Sequence, residues 1–202
     1  MSDLQCPATV VVARHAKAAF VESWFSDEGG SLTPAGRRQA AGLAETLVGR
    51  RVAAVYTSDV SRAVQTAEIV AARLGVAVTA CKSLREVDIG SLHGQDFDVD
   101  RLEVVCRQWY AGALDAAFEG GESGADVIER HRRQLDEIAD LHRGETVLVV
   151  GHQTALGIVV PTLARDVDPA WARENELSNT ECVELERDAD GWVLRRWGTT
   201  VS

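Results

Sequence analysis

Two apolar runs, each ending in a histidine, limit what this chain can fold into. Val10-Val11-Val12-Ala13 leads into Arg14 and His15, and Val147-Leu148-Val149-Val150-Gly151 leads into His152. Short β-branched runs of this kind read as strands buried on both faces, which occur in parallel sheets covered by helices. In open α/β sheets, ligands collect at the carboxyl ends of the strands. Polar side chains at two such ends are placed for chemistry; the competing explanation is a pair of satisfied core histidines. Tyr56-Thr57-Ser58 forms a third strand end, passing into a helix that carries Arg62. Two histidines with Arg14 and Arg62 make a candidate anion site.

The rest of the chain alternates strands with helices, which predicts an α/β fold. We expect a three-layer α/β/α sandwich on a mostly parallel sheet with an antiparallel edge strand. Strands are expected at 8–14, 52–56, 76–81 and 145–150. Thr33-Pro34 supplies an N-cap and a first-turn proline for a helix reaching about residue 50. Ser58 or Asp59 is expected to cap the next helix, which ends at Gly75. A short helix over 98–111, a long one over about 123–142 with Val127, Leu135 and Ile138 inward, and another over 154–164 follow. His131 and His142 lie among charges on the long helix and read as solvated. Pro161 and Pro169 are expected to bracket a loop. Two period-two runs around Asp188-Ala189-Asp190-Gly191 predict a terminal hairpin at a sheet edge. Residues 16–31 read as a loop beside the site.

With 202 residues and 46% hydrophobic content, one domain spanning 1–202 is expected, with 98–124 as a small cap. No apolar run is long enough to span a bilayer, and the N-terminus shows no basic region followed by an apolar stretch. Four scattered cysteines without a CxxC pair suggest reduced thiols in a cytoplasmic protein and no metal site. A net charge of −10 argues against nucleic acid as a partner and repels anionic substrates at long range. A phosphate site here must be a local cationic pocket. The terminal hairpin leaves a homodimer through its edge open alongside a capped edge.

These motifs, in this order, resemble the histidine phosphatase superfamily, also called phosphoglycerate mutase-like, over nearly the whole chain. Leu32-Thr33-Pro34-Ala35-Gly36 and Gly120-Gly121-Glu122-Ser123 add to the resemblance. In that family the histidine matching His15 accepts a phosphoryl group, and water then hydrolyses the phosphohistidine. An imidazole must be neutral to attack, and adjacent cations oppose its protonation. Its other ring nitrogen needs a fixed acceptor. Arg14 and Arg62 match phosphate-binding arginines, suited to forked hydrogen bonds. His152 matches a second pocket histidine, which would stabilise the transferring group if protonated. Glu86, in Leu84-Arg85-Glu86-Val87-Asp88-Ile89-Gly90, matches the family's proton donor, with Asp88 as the competitor. A carboxyl beside a phosphate dianion is driven towards its protonated, donating form. Glu122 is a candidate for the pocket rim and Ser123 for a helix cap. His93 is expected to be an exposed loop residue or to face the pocket mouth.

The sequence departs from the family pattern at Ala16, Ala18, Val21, Gly151 and Gln153. Ala16 replaces a glycine and narrows backbone approach to phosphate. Gln153 replaces a common glycine and is expected to touch the substrate at its phosphate. These changes leave the phosphoryl-transfer residues in place and put phosphoglycerate specificity in doubt. The resemblance therefore implies a phosphomonoesterase, free of metal and cofactor, acting on a small-molecule phosphate ester. Phosphoglycerate mutase, a non-catalytic phospholigand-binding module and a protein phosphohistidine phosphatase are the alternatives.

Overall fold

A computed structural model describes residues 6–19, 30–96, 98–164 and 167–198. Most of the 16–31 loop, Val21 included, and the first five residues lie outside them. Six strands form one sheet in the order β5-β4-β6-β1-β7-β8. Strands β1 (Thr9–Arg14), β4 (Val52–Thr57), β5 (Val78–Ala80) and β6 (Thr146–Gly151) are parallel, while β7 (Cys182–Asp188) and β8 (Gly191–Trp197) form the terminal hairpin, with β7 antiparallel to β1. A separate two-residue ladder joins β2 (Ala18–Ala19) to β3 (Ser31–Leu32).

Alternation along the strands sorts the core into two layers. Val11, Ala13, Val55, Leu148 and Val150 face helices α1 (Pro34–Leu47) and α2 (Ser61–Leu74), where Leu43, Leu47, Ala67 and Val70 pack against them. Val10, Val12, Val147 and Val149 face the other way. There they meet Val127, Leu135 and Ile138 of α4 (Gly124–Leu141) and Val159 of α5 (Gln153–Leu163). Helix α3 (Val99–Tyr110) joins this layer through buried Trp109. The arrangement is the expected three-layer sandwich.

Local chemistry explains most boundaries. Thr33 Oγ1 accepts the Gly36 N–H at 2.9 Å, and Gly75 at φ 73° ends α2. Ser123 and Asp126 form a reciprocal capping box that starts α4. Three expectations fail. Neither Ser58 nor Asp59 caps α2: Val60 occupies that position without a side-chain cap. Pro161 does not border a loop but lies buried inside α5, two residues before its end, where one missing N–H is tolerated. Pro169 opens the short helix α6 (Pro169–Glu174), with Asp168 as its cap.

The third failure concerns His131 and His142. His131 sits at 1% exposure on the inward stripe of α4, four residues from both Val127 and Leu135. His142 is largely enclosed, bonded to Tyr56 Oη at 2.9 Å and Glu145 Oε2 at 2.7 Å. Among the described residues no helix is long and apolar enough to cross a membrane.

Candidate active site

β1 and β6 are equal in length and pair in register, from Thr9 opposite Thr146 to Arg14 opposite Gly151. The residues that follow are therefore side by side. His15 N–H donates to Gly151 O at 3.0 Å, and the His15 and His152 rings lie 5.3 Å apart at 58°. Arg62, in the first turn of α2, reaches between them. Its Nε–H donates to His15 Nε2 at 3.1 Å, and its Nη2 lies 3.2 Å from His152 Nδ1.

These contacts fix both tautomers. His15 Nδ1 lies 2.8 Å from Ala16 O, and a carbonyl only accepts, so Nδ1 carries the proton and Nε2 the lone pair. His152 Nδ1 faces a guanidinium donor, so its proton is on Nε2, directed to Ser58 Oγ at 2.7 Å. Both rings are neutral. Burial, then the nearby charges of Arg62 and Arg14, brings His15 down to about 4. Burial, then Arg62, holds His152 well below its ordinary value. His152, which would stabilise a transferring group if protonated, is thus neutral here, because the ring is 0% exposed and faces a cation.

Arg14 is anchored by Nη1 to Leu177 O at 2.9 Å, while its Nε is buried without a hydrogen-bond partner. Burial lowers its pKa, and Glu86 and Glu176 oppose that shift. The Glu86 carboxylate caps α5. Oε2 accepts Thr154 N–H at 3.1 Å, and Oε1 accepts Ala155 N–H at 2.8 Å and Val87 N–H at 3.0 Å. This seats Glu86 beside the strand end that carries His152. Asp88, its competitor, instead accepts Gly90 N–H at 2.9 Å and meets His93 Nε2 at 3.1 Å. Gln153, the first residue of α5, turns its amide to the Glu176 carboxylate. The structure thus brings His15, His152 and Arg62 into direct contact, and holds Arg14, Glu86 and Gln153 around them.

A clamp that the sequence analysis missed holds the Glu86 loop. Arg130 of α4 pairs with Glu122 at 2.7 Å and donates to the carbonyls of Ser83, Arg85 and Glu86 at 2.8, 2.8 and 3.0 Å. Glu122 also accepts Asp88 N–H at 2.9 Å, so it braces the loop while lining the pocket beside Arg62 and Glu86. Gly90, at φ 53°, allows the close packing: a Cβ there would fall 2.3 Å from Glu119 O. Other supports were also missed. Ser58 orients His152, Thr66 Oγ1 accepts Ala16 N–H at 3.0 Å, and Asn179 donates to His15 O at 2.8 Å. Small polar residues next to motif residues were the available signal, but their partners lie far away in sequence. Among the described residues no group of three His, Cys, Asp or Glu side chains is arranged to hold a metal ion.

Comparison with known proteins agrees with this fold. The family model of the histidine phosphatase superfamily (branch 1) matches residues 10–200. The probable phosphoglycerate mutase GpmB of Salmonella choleraesuis is 32% identical over 175 residues, covering 83% of this chain and 80% of that protein. A mycobacterial glucosyl-3-phosphoglycerate phosphatase, solved with VO3, superposes with a TM-score of 0.78 at 25% identity, covering 95% of this chain and 99% of that one. YhfR of Bacillus stearothermophilus superposes with a TM-score of 0.78 at 27% identity, covering 93% and 95%. With its paired strand-end histidines and a family match over nearly its full length, the chain belongs to the histidine phosphatase superfamily, branch 1.

Proposed function

We propose that the protein is a phosphomonoesterase that hydrolyses a small phosphorylated metabolite through a phosphohistidine on His15. The observation that carries this reading is a single guanidinium, Arg62, facing the lone-pair nitrogens of two buried, neutral imidazoles. A phosphoryl group bound by Arg62 lies next to His15 Nε2. That nitrogen attacks phosphorus, the bond to the leaving oxygen breaks, and Glu86, which enters the step in its protonated form beside the ester dianion, gives that oxygen its proton and is left as the carboxylate. Water then attacks the phosphohistidine, Glu86 takes its proton, and the N–P bond breaks to release phosphate. Arg14 Nε, a buried donor without a partner, is supplied with an acceptor by a phosphoryl oxygen. The ester dianion also provides the countercharge that lets His152 take up a proton and donate from Nδ1.

Residues 98–124 belong to the same domain in this reading and wall the site. Tyr110 and Cys106 of α3 lie close enough to Glu86 and Glu176 for those charges to add to the burial that raises their own pKa values. Gln153, engaged with Glu176, contacts the substrate's leaving group. Four free cysteines support a reducing, cytoplasmic setting.

His15→Ala is the decisive test. It should lower turnover of p-nitrophenyl phosphate by at least about 10⁴-fold with the circular dichroism spectrum kept, and abolish acid-labile phosphate on the protein. Turnover at the wild-type rate removes His15 from the nucleophile's role. The relative named as a probable mutase favours a second reading, phosphoglycerate mutase. Faster conversion of 3-phosphoglycerate to 2-phosphoglycerate than release of phosphate would establish it.

A further inference from the structure

Arg130 lines the pocket of about 250 Å³ that also holds Arg62 and Glu86. An arginine in that position invites reading as a further phosphate receptor, but every N–H of its guanidinium already meets a protein acceptor. Nε–H and one Nη2–H fork onto the Glu122 carboxylate at 2.7 and 2.9 Å, and the other Nη2–H meets Glu86 O at 3.0 Å. The Nη1–H groups meet Ser83 O and Arg85 O, each at 2.8 Å. No donor is left for a phosphoryl oxygen.

What Arg130 holds is the backbone on both sides of Glu86. Glu122 completes the grip, because Oε2 accepts Asp88 N–H at 2.9 Å while the same carboxylate takes the arginine fork. The segment 83–88 is thus tied to α4 by one largely enclosed ion pair. The Glu86 side chain is restrained in turn. A carboxylate offers about four lone-pair positions. Oε1 accepts Val87 and Ala155 N–H, whereas Oε2 accepts Thr154 N–H alone. The remaining position, on Oε2, is the place for a transferable proton.

We propose that Arg130 is a positioning residue for proton transfer: paired with Glu122, it fixes the Glu86 loop so that the proton on Glu86 Oε2 is aimed at the leaving oxygen. As the bond from phosphorus to that oxygen breaks, the oxygen takes the proton, and the carboxylate left behind keeps its backbone N–H partners. A displacement of about 1 Å in such an acid costs on the order of a hundredfold in rate. The inference rests on the phosphomonoesterase reading and deepens it by naming what aligns the acid.

The test compares p-nitrophenyl phosphate, phenyl phosphate and glycerol 3-phosphate, whose leaving groups rise in basicity and so depend increasingly on a proton donor. The ratio kcat/KM reports phosphoryl transfer to His15 and leaves out the later attack by water. Arg130→Gln should stay within about threefold of wild type on p-nitrophenyl phosphate and fall about a hundredfold on glycerol 3-phosphate, with phenyl phosphate between. Glu86→Gln should give the same order more steeply, and adding Arg130→Gln to it should cost little more. Glu122→Gln, which keeps an acceptor for Asp88 N–H, should give the same order with smaller losses. If Arg130→Gln does not fold, Arg130→Lys, which keeps the charge and loses the fork, is read by the same order. Equal losses on the three esters overturn the proposal, as do an unchanged rate on glycerol 3-phosphate and losses that multiply in the double variant. A wild-type enzyme that turns over p-nitrophenyl phosphate but neither of the other esters has no aligned acid, which overturns this inference alone. Failure to turn over any ester overturns the phosphomonoesterase reading and this inference with it.

Discussion

His152, at the end of β6, and His131, on the inward stripe of α4, are both buried and both neutral, yet they stand in different surroundings. His152 has a partner at each nitrogen, Ser58 on one side and Arg62 on the other. His131 donates from Nδ1 to Val127 O at 2.9 Å, with Arg130 Nη1 3.3 Å from the same nitrogen, and its Nε2 is buried without a partner. Burial brings His131 down to about 3, with Arg130 adding to the shift. A lowered pKa therefore does not by itself separate an active-site histidine from a core one. Under the proposed function, what separates them is that the guanidinium facing His152 is the one that would also hold the phosphoryl group.

The largest effect that can break this comparison comes from truncating His152. His152→Ala should lower kcat about a thousandfold on p-nitrophenyl phosphate, whereas His131→Leu should stay within about twofold. Comparable losses in both variants would put the two rings in one functional class. A smaller effect is expected from Ser58→Ala, which frees the His152 ring to rotate. It should reduce kcat about tenfold, equivalent to one hydrogen bond, with KM little changed. No change in steady-state kinetics would show that packing alone orients the ring.

The smallest effect is on stability, and it is read at His131. A histidine whose folded pKa lies below its unfolded value of about 6.5 contributes full stability above that pH. That stability falls as pH drops from about 6.5 towards the folded value, because the unfolded chain then binds the proton and the native state does not. For a folded value of about 3, the loss between pH 7 and pH 5 is about 2 kcal/mol. Urea unfolding at the two pH values should therefore show His131→Leu losing about 2 kcal/mol less than wild type. An identical pH dependence in the two proteins would show that His131 keeps no depressed pKa in solution.

Particular residues show how far the sequence can be read. The six-residue strands ending at Arg14 and Gly151 were legible from apolar runs, the start of α1 from Thr33-Pro34, and the hairpin from its period-two runs and turn. His131 was misread although its spacing from Val127 and Leu135 placed it on the apolar stripe, because the adjacent arginines suggested solvent. Pro161 was misread because proline signals a break, whereas packing of α5 against the core outweighs one missing hydrogen bond. Ser58 and Asp59 looked like caps, but His152 and Arg85 take their side chains.

By itself, the sequence determined the order of the main strands and helices, the polar residues at the strand ends and the family to which they point, since hydrophobic period and capping chemistry are local properties. Tertiary structure decided which of those residues meet and in what protonation state. The in-register pairing of β1 with β6 sets His15 beside His152, and their neutrality follows from burial against Arg62. Contacts between segments far apart in the chain, and the desolvation that accompanies them, exist only once the layers have packed.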